Sequence, residues 1–134
     1  MKFSALGLAG VALAMSATPG FAHHSFAMFD AAKSVKLEGT VKEFQWTNPH
    51  SWILMMVRNP QGAEEEWAIE MGTPSGLARH GWVPKSLTPG MKVTATINPL
   101  KDGHRGGRAI AVTLPNGTLK YHPFPLGVRT SSLN

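Results

Sequence analysis

The chain has 134 residues, no cysteine, and 13 basic against 8 acidic side chains, a net charge of +5. That length bounds it to one domain, and the missing cysteines exclude disulfides, thiolate zinc sites and cysteine redox chemistry. The charge is mild: it suits an anionic neighbour without requiring one.

Residues 1–22 stand apart from the domain. Lys2 gives a positive start, residues 3–15 are an apolar run without charge, and Pro19-Gly20 breaks the chain ahead of Ala22. This is the layout of a secretory signal peptide cut after Ala22. A membrane span needs roughly 20 apolar residues. This run is shorter, and no later stretch is long enough, so no transmembrane span is expected after processing. The expectation is a periplasmic or secreted protein that begins at His23. It has an N-terminal segment over 23–34, a folded domain over 35–121 and a loosely held tail over 122–134.

In the N-terminal segment, Phe26 and Phe29 are placed to anchor the chain onto the domain. The first strand covers 35–46. Val35, Leu37, Gly39 and Val41 alternate with polar residues, and then the apolar phase shifts to Phe44 and Trp46. A one-residue slip inverts every side chain, so a β-bulge near Lys42-Glu43 is expected. The second strand, 52–58, is apolar on both faces. Asn59-Pro60-Gln61-Gly62 signals a turn, and the third strand, 65–71, sends Trp67, Ile69 and Met71 one way and Glu66, Ala68 and Glu70 the other. A two-turn helix over 74–80 follows, with Thr73 as N-cap, Pro74 at its first position and Gly81 just past its end. Trp82 packs back onto the core. The fourth strand, 91–98, points Met91, Val93, Ala95 and Ile97 inward. After a glycine-rich basic loop, the fifth strand, 108–114, places Ile110, Val112 and Leu114 on one face. Asn116-Gly117 is a tight turn, and 118–121 returns as a short sixth strand.

Three meandering strands, a short helix and two more strands are the element order of an OB-fold, an all-β five-stranded Greek-key barrel. The helix falls between strands three and four, where that fold plugs the barrel. A different small barrel or sandwich is the alternative. In an OB-fold the binding surface lies beside the loops joining strands one to two and four to five. Here those are 47–51 and 99–107, carrying His50 and His104. The stretch Trp46-Thr47-Asn48-Pro49-His50-Ser51-Trp52 is the densest in aromatic and polar side chains, as functional loops often are.

His23-His24-Ser25-Phe26, Gly39-Thr40-Val41, the Trp46–Trp52 stretch, Trp67-Ala68-Ile69-Glu70, Arg79 with Gly81-Trp82, and Leu87 with Pro89-Gly90 together resemble one family. It is a bacterial family of small secreted proteins catalogued as a domain of unknown function (family 6152). The resemblance spans about residues 22–117. It implies export and one small β domain, and it implies no activity.

Two kinds of binding follow from the residues themselves. A chain that starts with histidine can chelate a metal through its free amine and its own imidazole, and nitrogen ligands suit Cu(II). The amine's ordinary pKa of roughly 7.7–8.0 lets a metal displace its proton near neutrality. His23 is the expected chelator of copper or another divalent metal, with His24, His50 or His104 as partner. At that residue alone the chain resembles the amino-terminal histidine site of copper-carrying periplasmic proteins and of copper polysaccharide monooxygenases. The other reading is a face for an unknown small ligand or a periplasmic protein, built from Trp46, Asn48, His50, Trp52 and His104. Its bland counterpart has the two tryptophans capping the barrel mouth. No enzyme is expected: Glu64-Glu65-Glu66 reads as a solvated strand start, Glu70 and Asp102 as unpaired carboxylates, and Ser51 beside His50 points to the opposite face. A nucleic-acid partner is not expected of an exported protein, despite Lys101, His104, Arg105 and Arg108.

Overall fold

A computed structural model of the chain describes residues 26–121, without the side chains of Phe26 and Tyr121. The expected leader, His23, His24 and the tail after residue 121 lie outside the described residues. A 3-10 turn (Phe26–Met28) leads to β1 (Val35–Gln45), β2 (Trp52–Arg58), β3 (Glu64–Glu70), α1 (Pro74–Arg79), β4 (Lys92–Pro99), β5 (Gly106–Thr113) and β6 (Leu119–Tyr121). The sheet order is β3-β2-β1-β4-β5-β6, and β3 also pairs with β5 in parallel, which closes the first five strands into a barrel. This is the expected OB-fold arrangement with one extra strand.

Alternation builds the core. Leu37 and Val41 of β1, Ile53 and Met55 of β2, Ile69 of β3, Val93, Ala95 and Ile97 of β4, and Ala109 and Val112 of β5 all point inward and are buried. In β1 the register runs Val41↔Met55 and then Glu43↔Leu54, so Lys42 is the extra residue of the expected bulge. Beyond it Phe44 pairs with Ile53, and both Phe44 and Trp46 pack against the core.

One face assignment is corrected. β5 also carries an extra residue: Ile97 pairs with Ala109 and Thr96 with Ala111, which leaves Ile110 between them. Ala109 therefore takes the core position expected of Ile110, while Val112 is buried and Leu114 packs against it. A bulge inverts faces without any change of composition.

Just past β3, Thr73 Oγ1 accepts the Gly76 N–H at 3.1 Å and caps α1. Pro74 opens the helix, and Gly81 follows with φ 77°, a conformation that favours glycine. Leu77 and Trp82 turn into the core as the plug. Lys120 Nζ reaches the Gly81 carbonyl at 2.8 Å and lies 5.2 Å above the Trp82 ring, which ties β6 to this cap.

The seam that closes the barrel depends on two glycines. A Cβ on Gly107 would stand 2.5 Å from the Asn98 carbonyl oxygen, and one on Gly106 2.9 Å from Leu100 Cδ1 and 3.1 Å from the Ala68 oxygen. Their bare backbones let Ala68, Ile69 and Glu70 pair with Gly106, Gly107 and Arg108. Sequence pattern starts this strand at Arg108; the glycines that look like loop are its first two residues. No helix among the described residues is long and apolar enough to cross a membrane.

Candidate functional site at the barrel mouth

Residues 46–51 connect β1 to β2. Thr47 Oγ1 donates to the His50 carbonyl at 3.0 Å, and the Asn48–Pro49 peptide bond is cis. Ser51 pairs its backbone with the chain just past β3: its N–H donates to the Gly72 carbonyl and its carbonyl accepts the Met71 N–H, both at 2.9 Å. The loop is thus fastened to β3 immediately after His50.

That fastening sets His50 against Glu70. The Nδ1–Oε1 distance is 2.5 Å, with 8% of the Glu70 side chain exposed and 34% of the imidazole. Glu70 lies on the outer face of β3, directly opposite Trp52 in the hairpin register and opposite Arg108 across the seam. Burial lowers the pKa of the Arg108 guanidinium, and the Glu70 charge opposes that shift. A buried carboxylate is costly without partners; here an imidazole and a guanidinium flank it. With Nδ1–H donated to Glu70, Nε2 is the ring nitrogen left to accept a proton or a metal.

Trp52 and Glu70 also line a cavity of about 100 Å³ with Met28, Phe29 and Leu100. The N-terminal segment forms its cover. Asp30 N–H donates to the Pro99 carbonyl at 2.8 Å, Lys101 N–H to the Met28 carbonyl at 3.0 Å, and Phe29 bridges to Leu100. Phe29 is buried, as an anchor should be. The segment that follows His23 and His24 is therefore bound to the loop between β4 and β5, beside Trp52 and Glu70.

The other expected site residues disperse. Trp46 packs edge-on to Phe44 at 5.7 Å and onto the core, whereas Trp52 faces the cavity. Asn48 is exposed at the loop tip. His104 is 81% exposed and bound within its own loop, with Nδ1 3.0 Å from Asp102 Oδ2. The Asp102 carboxyl is held below the usual carboxylate range, first by the His104 backbone N–H and then by the His104 side chain. Arg105 Nη1 lies 3.4 Å from Glu65. Among the described residues no three His, Asp or Glu side chains converge as a metal-binding group.

Glu70 is the residue that sequence reasoning left without a partner. The pairing is set by the hairpin register, in which Trp52, two positions after His50, faces Glu70. Two buried polar atoms, Ser51 Oγ and Trp67 Nε1, have no hydrogen-bond partner among the described residues.

Fold and site together define a small OB-type β-barrel with a histidine–carboxylate pair where its first loop meets the third strand. The chain belongs to a family of unknown function (DUF6152), which it matches over residues 11–109. That span contains every candidate residue, from His23 and His24 to His50, Glu70 and His104. No curated protein and no solved structure matches the chain.

Proposed function

We propose that this is an exported binding protein whose site is the barrel mouth, and that it binds copper or another divalent metal there through His50 and the amino-terminal histidine. One observation carries the reading: the His50 Nδ1–Glu70 contact of 2.5 Å. Metal-ligating histidines characteristically donate their second ring N–H to a carboxylate, which fixes the ring and raises its basicity. The leader layout at residues 1–22 supports export, and cutting after Ala22 frees the His23 amine for chelation. Phe26 is three residues beyond His23, and an extended chain covers at most about 3.6 Å per residue. Chain length therefore limits the His23 amine to within about 11 Å of Phe26.

Native mass spectrometry of the exported protein with Cu(II) or Zn(II) tests this. The expected result is a mass starting at His23 with one metal retained, lost in His23→Ala and His50→Ala. Glu70→Gln weakens metal affinity about 10–100-fold, as loss of an orienting carboxylate does. A different first residue, or equal metal retention in His50→Ala, removes the metal reading. A non-metal ligand is the second reading, and the cavity beside Trp52 favours it.

A further inference from the structure

We propose that the groove across the outer face of β1 and β4 binds a short zwitterionic peptide, its free amine on Glu38 and its free carboxylate on Lys92. The site is separate from the barrel mouth and goes beyond the metal reading. The groove measures about 660 Å³, within the range of roughly 300–1,000 Å³ usual for small-ligand sites. Strand register, rather than a loop, sets its floor. Glu38 pairs with Thr94, and Thr40 with Lys92. These four alternate with Leu37, Val41, Val93 and Ala95, which are buried, so all four face outward on one side of the sheet. They form a square, with the two charges on one diagonal and the two hydroxyls on the other. Met56 of β2 lies opposite Thr40, and Thr113 of β5 opposite Thr94.

The charges select the ligand. Arg58 and Glu64, at one end of the groove, already face each other at 3.7 Å. Glu38 and Lys92 do not pair with each other, and neither side chain has another partner among the described residues. Two cations and two carboxylates line the groove in all, so a simple ion of either sign gains little net attraction. A molecule with one charge of each sign meets both unpaired groups. Residues on such a diagonal stand about 7–8 Å apart, and an extended dipeptide, at up to about 3.6 Å per residue, spans that distance. The Thr40 and Thr94 hydroxyls, each a donor and an acceptor, suit the peptide bond between its ends. Met56, Leu114 and Pro115 offer apolar surface to a side chain. No aromatic ring of the described residues lines the groove, so a sugar finds no stacking face.

The test is an NMR titration of the purified protein, in chelator so that no metal bridges the peptide to the barrel mouth. The probes are alanyl-leucine, its N-acetyl derivative and its C-terminal amide, with sodium chloride as the ionic-strength control. The expected result is a saturable shift of the Thr40 and Thr94 backbone amides with alanyl-leucine. Each blocked derivative should bind at least about tenfold more weakly, the scale of one lost hydrogen bond to a charged group. Glu38→Gln should no longer distinguish the free amine from the acetylated one, and Lys92→Gln should no longer distinguish the acid from the amide. Both side chains are exposed, so the substitutions leave the core untouched. Absence of a saturable shift, a shift reproduced by sodium chloride, equal affinity for a blocked derivative, or an undiminished preference in either variant would overturn the proposal. Because no metal takes part, failure here leaves the His50 metal reading standing, and failure of the metal reading leaves this one.

Discussion

At the scale of single residues, the barrel mouth contrasts two neighbours. His50 faces outward onto Glu70, whereas Ser51 is fully buried with its hydroxyl unpartnered among the described residues. Ser51 shares the inward phase of Ile53 and Met55, so its Oγ enters an apolar interior. A buried hydroxyl without a partner carries a desolvation cost of about 1–3 kcal/mol. Ser51→Ala removes that cost and keeps the Cβ. We expect it to raise unfolding stability by about 1 kcal/mol in urea denaturation. A drop of that size would mean the hydroxyl is satisfied in solution. His50 was visible in the sequence as a loop histidine; its partner was not, because Glu70 is 20 positions away and reads locally as one more polar residue on an alternating strand. Only the hairpin register brings the two together.

At the scale of elements, most of the architecture was legible. The alternation in β1 and its change of phase located the Lys42 bulge, and Thr73, Pro74 and Gly81 marked the ends of α1. The same reasoning missed the start of β5 and its inner face. Gly106 and Gly107 carry no side-chain pattern, so nothing local distinguishes them from the basic loop before them. They belong to β5 because the Asn98 carbonyl and Leu100 press on the space a side chain would take. Gly107→Ala should cost about 1–3 kcal/mol, the usual penalty for forcing atoms into a packed site. Urea denaturation measures it, and amide exchange should quicken first at Ala68–Glu70 where the seam opens. A neutral Gly107→Ala would show that the seam can spread to admit a methyl group. The Ile110 error has a related cause: the extra residue in β5 is set by its pairing with β4 and leaves no trace in composition.

At the scale of the whole molecule, closure of the barrel joins parts that are distant in sequence. Val35 pairs with Ile97, and Ala68 pairs in parallel with Gly106. Chains dominated by such long-range pairings must meet the entropy of loop closure before contacts reward it, and they fold in about milliseconds to seconds. Stopped-flow refolding followed by tryptophan fluorescence should give a main phase in that range. A sub-millisecond main phase would contradict a fold assembled mainly from non-local pairs. Closure also makes the site: the seam brings Arg108 to Glu70, the hairpin brings Trp52, and the N-terminal segment covers the cavity that Trp52 and Glu70 line.

By itself the sequence determined what depends on neighbours along the chain. Alternation, turn dipeptides and helix caps are local, and together they specified six strands, one helix and an OB-type order. What tertiary structure alone decided depends on neighbours across the sheet. The glycine seam, the phase of β5, the separation of Trp46 from Trp52 and the pairing of His50 with Glu70 follow from register and backbone approach. Side-chain patterns encode which face is apolar, whereas the partner that each polar side chain meets is set by how the barrel closes.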